Sequence, residues 1–395
     1  MDCDMTVYTP KSSATDAAAT QLSSLEVPQK ERWKLVPEYA PQVAVLVAWP
    51  HDGTDWAEDL EPALVNFADM IAAISLAATP WVLIPNEETK ADVLERVAKA
   101  AEKYHQREQF ALEFSVCDYN DTWTRDYGPL TVFKASEQIG QKHLRLQNFI
   151  FNGWGGKFDA TLDNQVNQKL WDSGEFERVY TSKLDQSQLF SVQLQDHPVI
   201  LEGGSLETNG HVMMTTSACL LNENRNPDLD QEAIEKILRK QFGTPESIWL
   251  TQGHLEGDDT DAHVDTLARF VAKSTVVFQG CQDEADSHFT GIQAMKKELE
   301  AAADKFDLKL IELPWPKAVY DDGRRLPATY ANFLVVNNHI LLPTYNCDAD
   351  QVAIKVLEES LPDMIIVPVP CSTLITNNGS LHCSTMQLPH IWTPL

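Results

Sequence analysis

The chain of 395 residues is long enough to bury a large core, and its 43% hydrophobic and 23% charged content is ordinary for a globular protein. Its 58 acidic against 31 basic residues give a formal charge of −27, which argues against nucleic acid as a partner and is compatible with drawing a small cation into an acidic cleft. No apolar run approaches membrane-span length and the N-terminus lacks a signal peptide's basic region and apolar core, so no membrane partner and a cytoplasmic location are expected.

Residues 1–28 are small, polar and rich in Ser, Thr and Ala, the composition of a disordered tail. Order is expected from near Trp33, and residues 29–395, with no Gly/Ser/Pro linker after residue 40, read as one catalytic domain. The apolar run Val43–Trp49, ended by Pro50, predicts a buried strand, Leu60–Ala77 a helix, and Trp81–Pro85 a second strand. A second helix is expected over Ala91–Tyr104 and a third strand over Phe110–Cys117. Strand pairs split by polar turns are expected in His211–Leu221, Leu267–Gln279 and Phe333–Thr344, the last around Asn337-Asn338. Helices fit Asp230–Phe242, Thr290–Phe306 and Asp348–Leu361, so the class is α/β.

The notable polar runs fall where strands end, which is where a rigid scaffold presents functional groups. Trp123-Thr-Arg-Asp126-Tyr-Gly-Pro129 offers a carboxylate beside an aromatic ring, although such a run also suits a plain surface turn. Planar guanidinium groups pair with carboxylates and stack on rings, so Asp126 and Asp265 could grip one guanidinium while Trp123 covers its stem. Glu202, in Leu201-Glu-Gly-Gly-Ser205, is either a turn residue or the group that orients and charges a histidine.

Asp258-Asp-Thr-Asp-Ala-His263-Val-Asp265 admits three readings: a solvated acidic loop, a metal site, or a proton carrier beside a substrate anchor. An EF-hand fails, because His263 stands at its third ligand position and Val264 replaces its glycine. No second histidine at HExxH spacing supports a transition metal. In extended geometry His263 and Asp265, two residues apart, share a face and can serve one ligand.

Seven cysteines (Cys3, Cys117, Cys219, Cys281, Cys347, Cys371, Cys383) form no CxxC pair, which fits reduced thiols rather than a zinc ribbon. Cys383 alone lies in a polar, glycine-bearing stretch, Asn377-Asn-Gly-Ser-Leu-His-Cys383, suited to a nucleophile. Cys219, Cys347 and Cys371 sit beside apolar segments and read as packing. His382 adjoins Cys383 in sequence but carries no assignment as its base.

Taken in order, these runs resemble the agmatine deiminases (agmatine iminohydrolases), which are similar to bacterial-type peptidylarginine deiminases. The resemblance extends from Val36-Pro-Glu-Tyr-Ala-Pro and Ala48-Trp-Pro50 through the Asp126 run, Phe151-Asn-Gly-Trp-Gly-Gly156 and the Glu202 run. It continues through Cys219-Leu-Leu-Asn with Arg225-Asn-Pro227, Asp259–Asp265 and Leu381-His-Cys383. It implies a pentein fold, a five-bladed α/β propeller of ββαβ-type units closed around a central active site. It implies Cys383 as nucleophile, His263 as general acid/base, Glu202 as its partner, and Asp126 and Asp265 as the guanidinium-binding carboxylates. Trp123 matches an aromatic that packs on the substrate, and Asp259 the position of an acidic residue near the distal amine. Ala262 departs from the family's frequent glycine before the histidine, and Asn377-Asn378-Gly379-Ser380 from a more glycine-rich run before the cysteine.

The activity so implied is hydrolysis of agmatine to N-carbamoylputrescine and ammonia through an amidino-cysteine intermediate, in polyamine biosynthesis. It calls for no metal and no organic cofactor, and a homo-oligomer is compatible with it. A substrate α-carboxylate would call for a basic residue in the pocket, and none stands out in the acidic runs, which favours agmatine over free or peptidyl arginine. A metal-dependent hydrolase built on Asp258–Asp265 is the alternative of another class.

Overall fold

In the computed structural model, residues 33–104, 111–135, 141–183 and 189–390 are described below. The expected tail at 1–28 lies outside them. The fold is mixed α/β, and one ladder recurs five times: an antiparallel strand pair, a helical crossover, and a parallel return strand.

In the first sheet, β2 (Gln42–Ala48) runs through the helix Leu60–Ile74 to its parallel neighbour β3 (Thr79–Ile84), and β4 (Glu113–Val116) extends it. Its antiparallel member is β19 (Met386–Pro389), from the far end of the chain. The second sheet contains β1 (Lys34–Leu35), β5 (Leu130–Ala135), β6 (Gln141–Ile150) and β7 (Leu189–Ile200), in that order. Helices Val166–Asp172 and Glu175–Lys183 make its crossover from β6 to parallel β7.

The third sheet pairs β8 (Glu207–Thr208) with β9 (Val212–Thr216), which returns through Gln231–Phe242 to β10 (Glu246–Leu250). The fourth joins β11 (Ala268–Ala272), β12 (Thr275–Gln279) and, after Phe289–Phe306, β13 (Lys309–Leu313). A small hairpin, β14 (Tyr320–Asp321) with β15 (Arg324–Arg325), precedes the fifth. There β16 (Leu334–Val336) and β17 (His339–Thr344) return through Asp348–Ser360 to β18 (Ile365–Pro370). Each sheet is open.

Local chemistry explains these elements. All seven residues of β2 are buried, as an apolar run covered on both faces requires. Gln231–Phe242 starts where the Asp230 carboxylate accepts from Ala233 N, at 2.9 Å, and buries Ile234, Leu238 and Phe242 at four-residue spacing. It stops at Gly243, whose φ of 66° suits a residue without a Cβ.

One expected strand pair is corrected. After β9, residues Ser217–Leu220 form a helical turn instead of a second strand, because the Thr216 hydroxyl accepts from Cys219 N and caps it. The partner of β9 is the upstream β8. The length of β5, β6 and β7 is additional to the expected elements.

The connections between successive ladders carry the candidate nucleophile, the histidine and the carboxylates, whereas the runs at 151–156 and 219–227 lie within the crossovers of the second and third ladders. Asp126 lies between β4 and β5, Glu202 between β7 and β8, and His263 and Asp265 between β10 and β11. Asn332 lies between β15 and β16, and Cys383 between β18 and β19.

Candidate active site

Folding brings four of the expected groups together around Gly204. A Cβ placed on this glycine would stand 2.6 Å from His263 Nδ1, 2.8 Å from Asp126 Oδ1 and 3.1 Å from Asp265 Oδ2. The glycine is therefore a steric requirement: only its bare backbone lets these three side chains converge. Cys383 Sγ is 3.9 Å from Asp265 Oδ2 and 3.4 Å from Asn332 Oδ1. His263 Nδ1 is 3.6 Å from Asp126 Oδ1.

Asp126 sits on the helical turn Thr124–Tyr127 and is buried, not the surface residue that a plain turn would make it. Its oxygens accept from Gly204 N and from Trp154 Nε1, both at 2.9 Å. Burial and the nearby Asp265 still push its carboxyl well above the usual range, against the pull of those two donors. Asp265 differs. Burial raises it most, but the hydrogen bond and charge of His382, 2.7 Å away, together with the charges of His263 and Arg269, hold it below its ordinary value. Its other oxygen, Oδ1, is buried without a partner.

The Cys383 thiol is pushed well up by burial, and the Asp265 and Asp126 carboxylates add to that. An empty pocket therefore keeps the proton on sulfur, and a bound cation between the carboxylates would reverse their contribution.

Glu202, the expected partner of His263, lies within 4.8 Å of its ring but spends its hydrogen bonds elsewhere. Glu202 oxygens lie 2.8 and 3.0 Å from Arg225 Nε, a fully buried pair, and make no hydrogen bond to the imidazole. A guanidinium offers charge and a planar donor set, and it takes the carboxylate. Glu202 stays within 4.8 Å of the ring of His263 and the thiol of Cys219. Both His263 nitrogens are buried and unpartnered, and burial pushes the imidazole down to about 3, with Asp265 only partly opposing. Burial thus favours the neutral imidazole at His263.

A cavity of about 110 Å³ opens from Cys383 to the surface. Asp126, Trp154 and Trp123 line it with the thiol, together with Asp55, Asp259 and Asp121, the last buried and pushed up to about 8 by that burial. No lysine, arginine or histidine is among its lining residues. Trp123 is fixed by its Nε1 bond to Asp121, at 2.9 Å, and by Gly379, where a Cβ would come within 2.2 Å of the ring. Asp259 accepts from Asn378 Nδ2 at 2.9 Å, and burial, then Asp258, raises it to about 6.

The other acids of the 258–265 run point elsewhere. Asp258 accepts from Thr260 N and Ala262 N, and Asp261 from Arg225 and Lys157. Among the described residues, neither cluster with metal-ligand spacing includes Asp258, Asp259 or Asp261. Asp258 spends its carboxylate on the loop's own backbone, while Asp261 and Asp259 bond side chains outside the loop. Asp261 and Ala262 stand at φ 66°, strained for residues with a Cβ.

Several participants were not singled out from the sequence. Trp154, Arg225 and His382 stood in the quoted runs without roles. Asn332, Asp121 and Asp55 carried no signal, since an asparagine or aspartate in a loop is common.

Fold and site together define a mixed α/β protein with a buried thiol, an imidazole and paired carboxylates below an acidic pocket. The chain belongs to the Porphyromonas-type peptidyl-arginine deiminase family, whose model matches residues 34–389. It is similar to a solved C. jejuni agmatine deiminase, a cysteine-to-serine variant with substrate bound. The identity is 34%, the TM-score 0.79, and the match covers 94% of this chain and 100% of that one. An agmatine deiminase of Enterococcus faecalis is 26% identical with a TM-score of 0.77, covering 92% and 98% of the two chains. A Shewanella frigidimarina protein bearing a provisional agmatine deiminase name is 31% identical, over 94% of this chain and 97% of its own length.

Proposed function

We propose that this protein hydrolyses the guanidinium group of agmatine, giving N-carbamoylputrescine and ammonia, and so serves polyamine biosynthesis in the cytoplasm. The observation that carries the reading is the pocket: a thiol at its base, carboxylates along it, and no basic lining residue to receive a substrate carboxylate. The relatives named for agmatine support the same choice.

In the proposed cycle Asp126 and Asp265 hold the guanidinium flat, with its carbon near Cys383 Sγ, and Trp123 and Trp154 flank the chain. As sulfur adds to the carbon, the thiol proton passes to neutral His263. The neutral tetrahedral adduct takes that proton back on one amino group and expels ammonia. A cationic amidino-thioether remains between the two carboxylates. His263 then removes a proton from water as its oxygen adds, collapse releases the urea product with the hydroxyl proton restoring the thiol, and the imidazolium gives its proton to solvent, where the ammonia becomes ammonium. Glu202, tied to Arg225 but within 4.8 Å of the ring, favours the transient imidazolium through its field. These steps draw on no metal or organic cofactor.

The same reading takes residues 29–395 as one catalytic domain and the five ladders as a closed propeller. Support comes from β19 completing the sheet of β2 and from the site groups lying on the inter-ladder connections.

The test follows ammonia release and product mass with agmatine, free arginine and an arginyl peptide. Agmatine turnover with a product one mass unit heavier supports the proposal. Exclusive turnover of an arginyl substrate would redirect it, and loss of activity on chelation would favour the metal-dependent class.

A further inference from the structure

We propose that His382, beside the nucleophile in sequence, is a positioning residue that clamps one oxygen of Asp265 and so leaves the other as the open acceptor for the guanidinium. The inference rests on the function proposed above and adds a residue to it.

The imidazole of His382 is held at both ends. Nδ1 lies 2.7 Å from Asp265 Oδ2, and Nε2 lies 2.7 Å from Glu38 Oε2. Glu38 is itself fixed, since its Oε1 accepts from Val335 N at 2.8 Å and its Oε2 pairs with Arg269. Arg269 Nη2 also stands 2.9 Å from His382 Nε2. Arg269 is fully buried and continues to Glu207 and to the Phe333 carbonyl. The His382 backbone N donates to Asn332 Oδ1 at 3.0 Å, the same oxygen that Cys383 Sγ approaches.

The geometry separates this histidine from the reacting atoms. Its two nitrogens are occupied by carboxylates and an arginine, so it has no free atom to exchange protons with Cys383. What it does instead is choose which Asp265 oxygen is spent. Oδ2 is taken by His382 and lies 3.9 Å from the sulfur, whereas Oδ1 is buried with no partner. A carboxylate free to rotate would present either oxygen. A clamped one presents the same atom at every turnover, with the geometric precision that positioned reactions require. Asp126 is fixed by other donors, Trp154 and Gly204, so the two grips of the substrate are set independently.

Two substitutions divide the clamp. In His382→Asn the amide nitrogen stands where Nδ1 stood and still reaches Asp265. In His382→Gln it stands where Nε2 stood, reaching Glu38 and releasing Asp265. Expected is kcat/KM for agmatine within about threefold of wild type for His382→Asn, and a loss of roughly 100-fold for His382→Gln. The loss should appear in both KM and kcat, because Asp265 holds bound substrate and the adduct alike. Calorimetry of the double variant Cys383→Ala/His382→Gln should show agmatine binding weakened about tenfold relative to Cys383→Ala. Equal losses in the two folded single variants, or wild-type kinetics in His382→Gln, would overturn the assignment. If His382→Gln does not fold, His382→Ala supplies the contrast: recovery of turnover with added imidazole supports the clamp, and no recovery overturns it. Failure of the wild-type protein to turn over any guanidine is a separate result, directed at the proposed function.

Discussion

Two polar regions meet at Asp265, a lower one around Arg269 and an upper one around Gly204, and they are built on opposite rules. In the lower one buried Arg269, Glu207 and His382 and half-buried Glu38 are bonded to one another, with backbone groups taking up further capacity. In the upper one both His263 nitrogens and Asp265 Oδ1 have no partner, although both residues are wholly buried. Leaving polar atoms buried and unpaired is destabilising, about 1–3 kcal/mol each. A fold tolerates it where a ligand will complete the set. On the proposed function, the contrast separates residues that hold the site from residues that would face the substrate. Asp265 belongs to both: its Oδ2 bonds His382 and lies 3.9 Å from the Cys383 sulfur, while its Oδ1 has no partner.

The comparison can be broken from either side. The largest effect is expected for Cys383→Ala, which should lower kcat for every guanidine substrate by roughly 10⁴-fold or more, read by ammonia release. Arg269→Met attacks the lower region. It strands Glu38 and Glu207 without their cation, and urea unfolding should show a loss of about 3–5 kcal/mol. Retained stability in that variant would mean that the region is not the truss described. Gly204→Ala attacks the upper region. Its Cβ would meet His263 Nδ1 at 2.6 Å, so kcat/KM should fall roughly 100-fold while the melting temperature changes little.

A smaller, pH-dependent effect is expected at the mouth. Because burial raises Asp259 to about 6, it takes up a proton as pH falls through that value and loses its attraction for a distal ammonium. Below pH 6, kcat/KM for agmatine should decline by roughly tenfold, and butylguanidine, which lacks the amine, should not share the decline. Asp259→Asn should abolish the difference between the two substrates. The smallest effect concerns strain. Ala262 is held at φ 66°, so Ala262→Gly should stabilise the fold by about 1 kcal/mol in thermal unfolding. An unchanged or lower midpoint would show that added freedom in the unfolded chain outweighs the relief.

Much of the site was legible because its chemistry is unusual by residue type. Cys383 lies in a polar, glycine-bearing run unlike the apolar neighbourhoods of Cys219 and Cys371, and His263 stands among acids. In the first, fourth and fifth sheets β2, β3, β4 and the pairs β11–β12 and β16–β17 were legible as apolar runs, whereas β13, β18 and β19 were not among the expected strands. The second sheet was less so, because β6 and β7 alternate polar and apolar residues and carry His143, Arg145 and Gln193. The Glu202–Arg225 pair was not legible. Twenty-three positions separate the two residues, and nothing in either run says that a guanidinium, rather than an imidazole, will reach that carboxylate first.

By itself the sequence determined the class of chemistry, since residue identity sets what a thiol, an imidazole and carboxylates can do, and apolar periodicity sets strand against helix. Only the tertiary structure decided the partners. It paired Glu202 with Arg225, buried His263 so that its neutral form is favoured, and joined Asp265 to His382 across 117 positions. The reason is physical: a hydrogen bond depends on ångström distances and burial, and both arise from packing between segments that are remote along the chain.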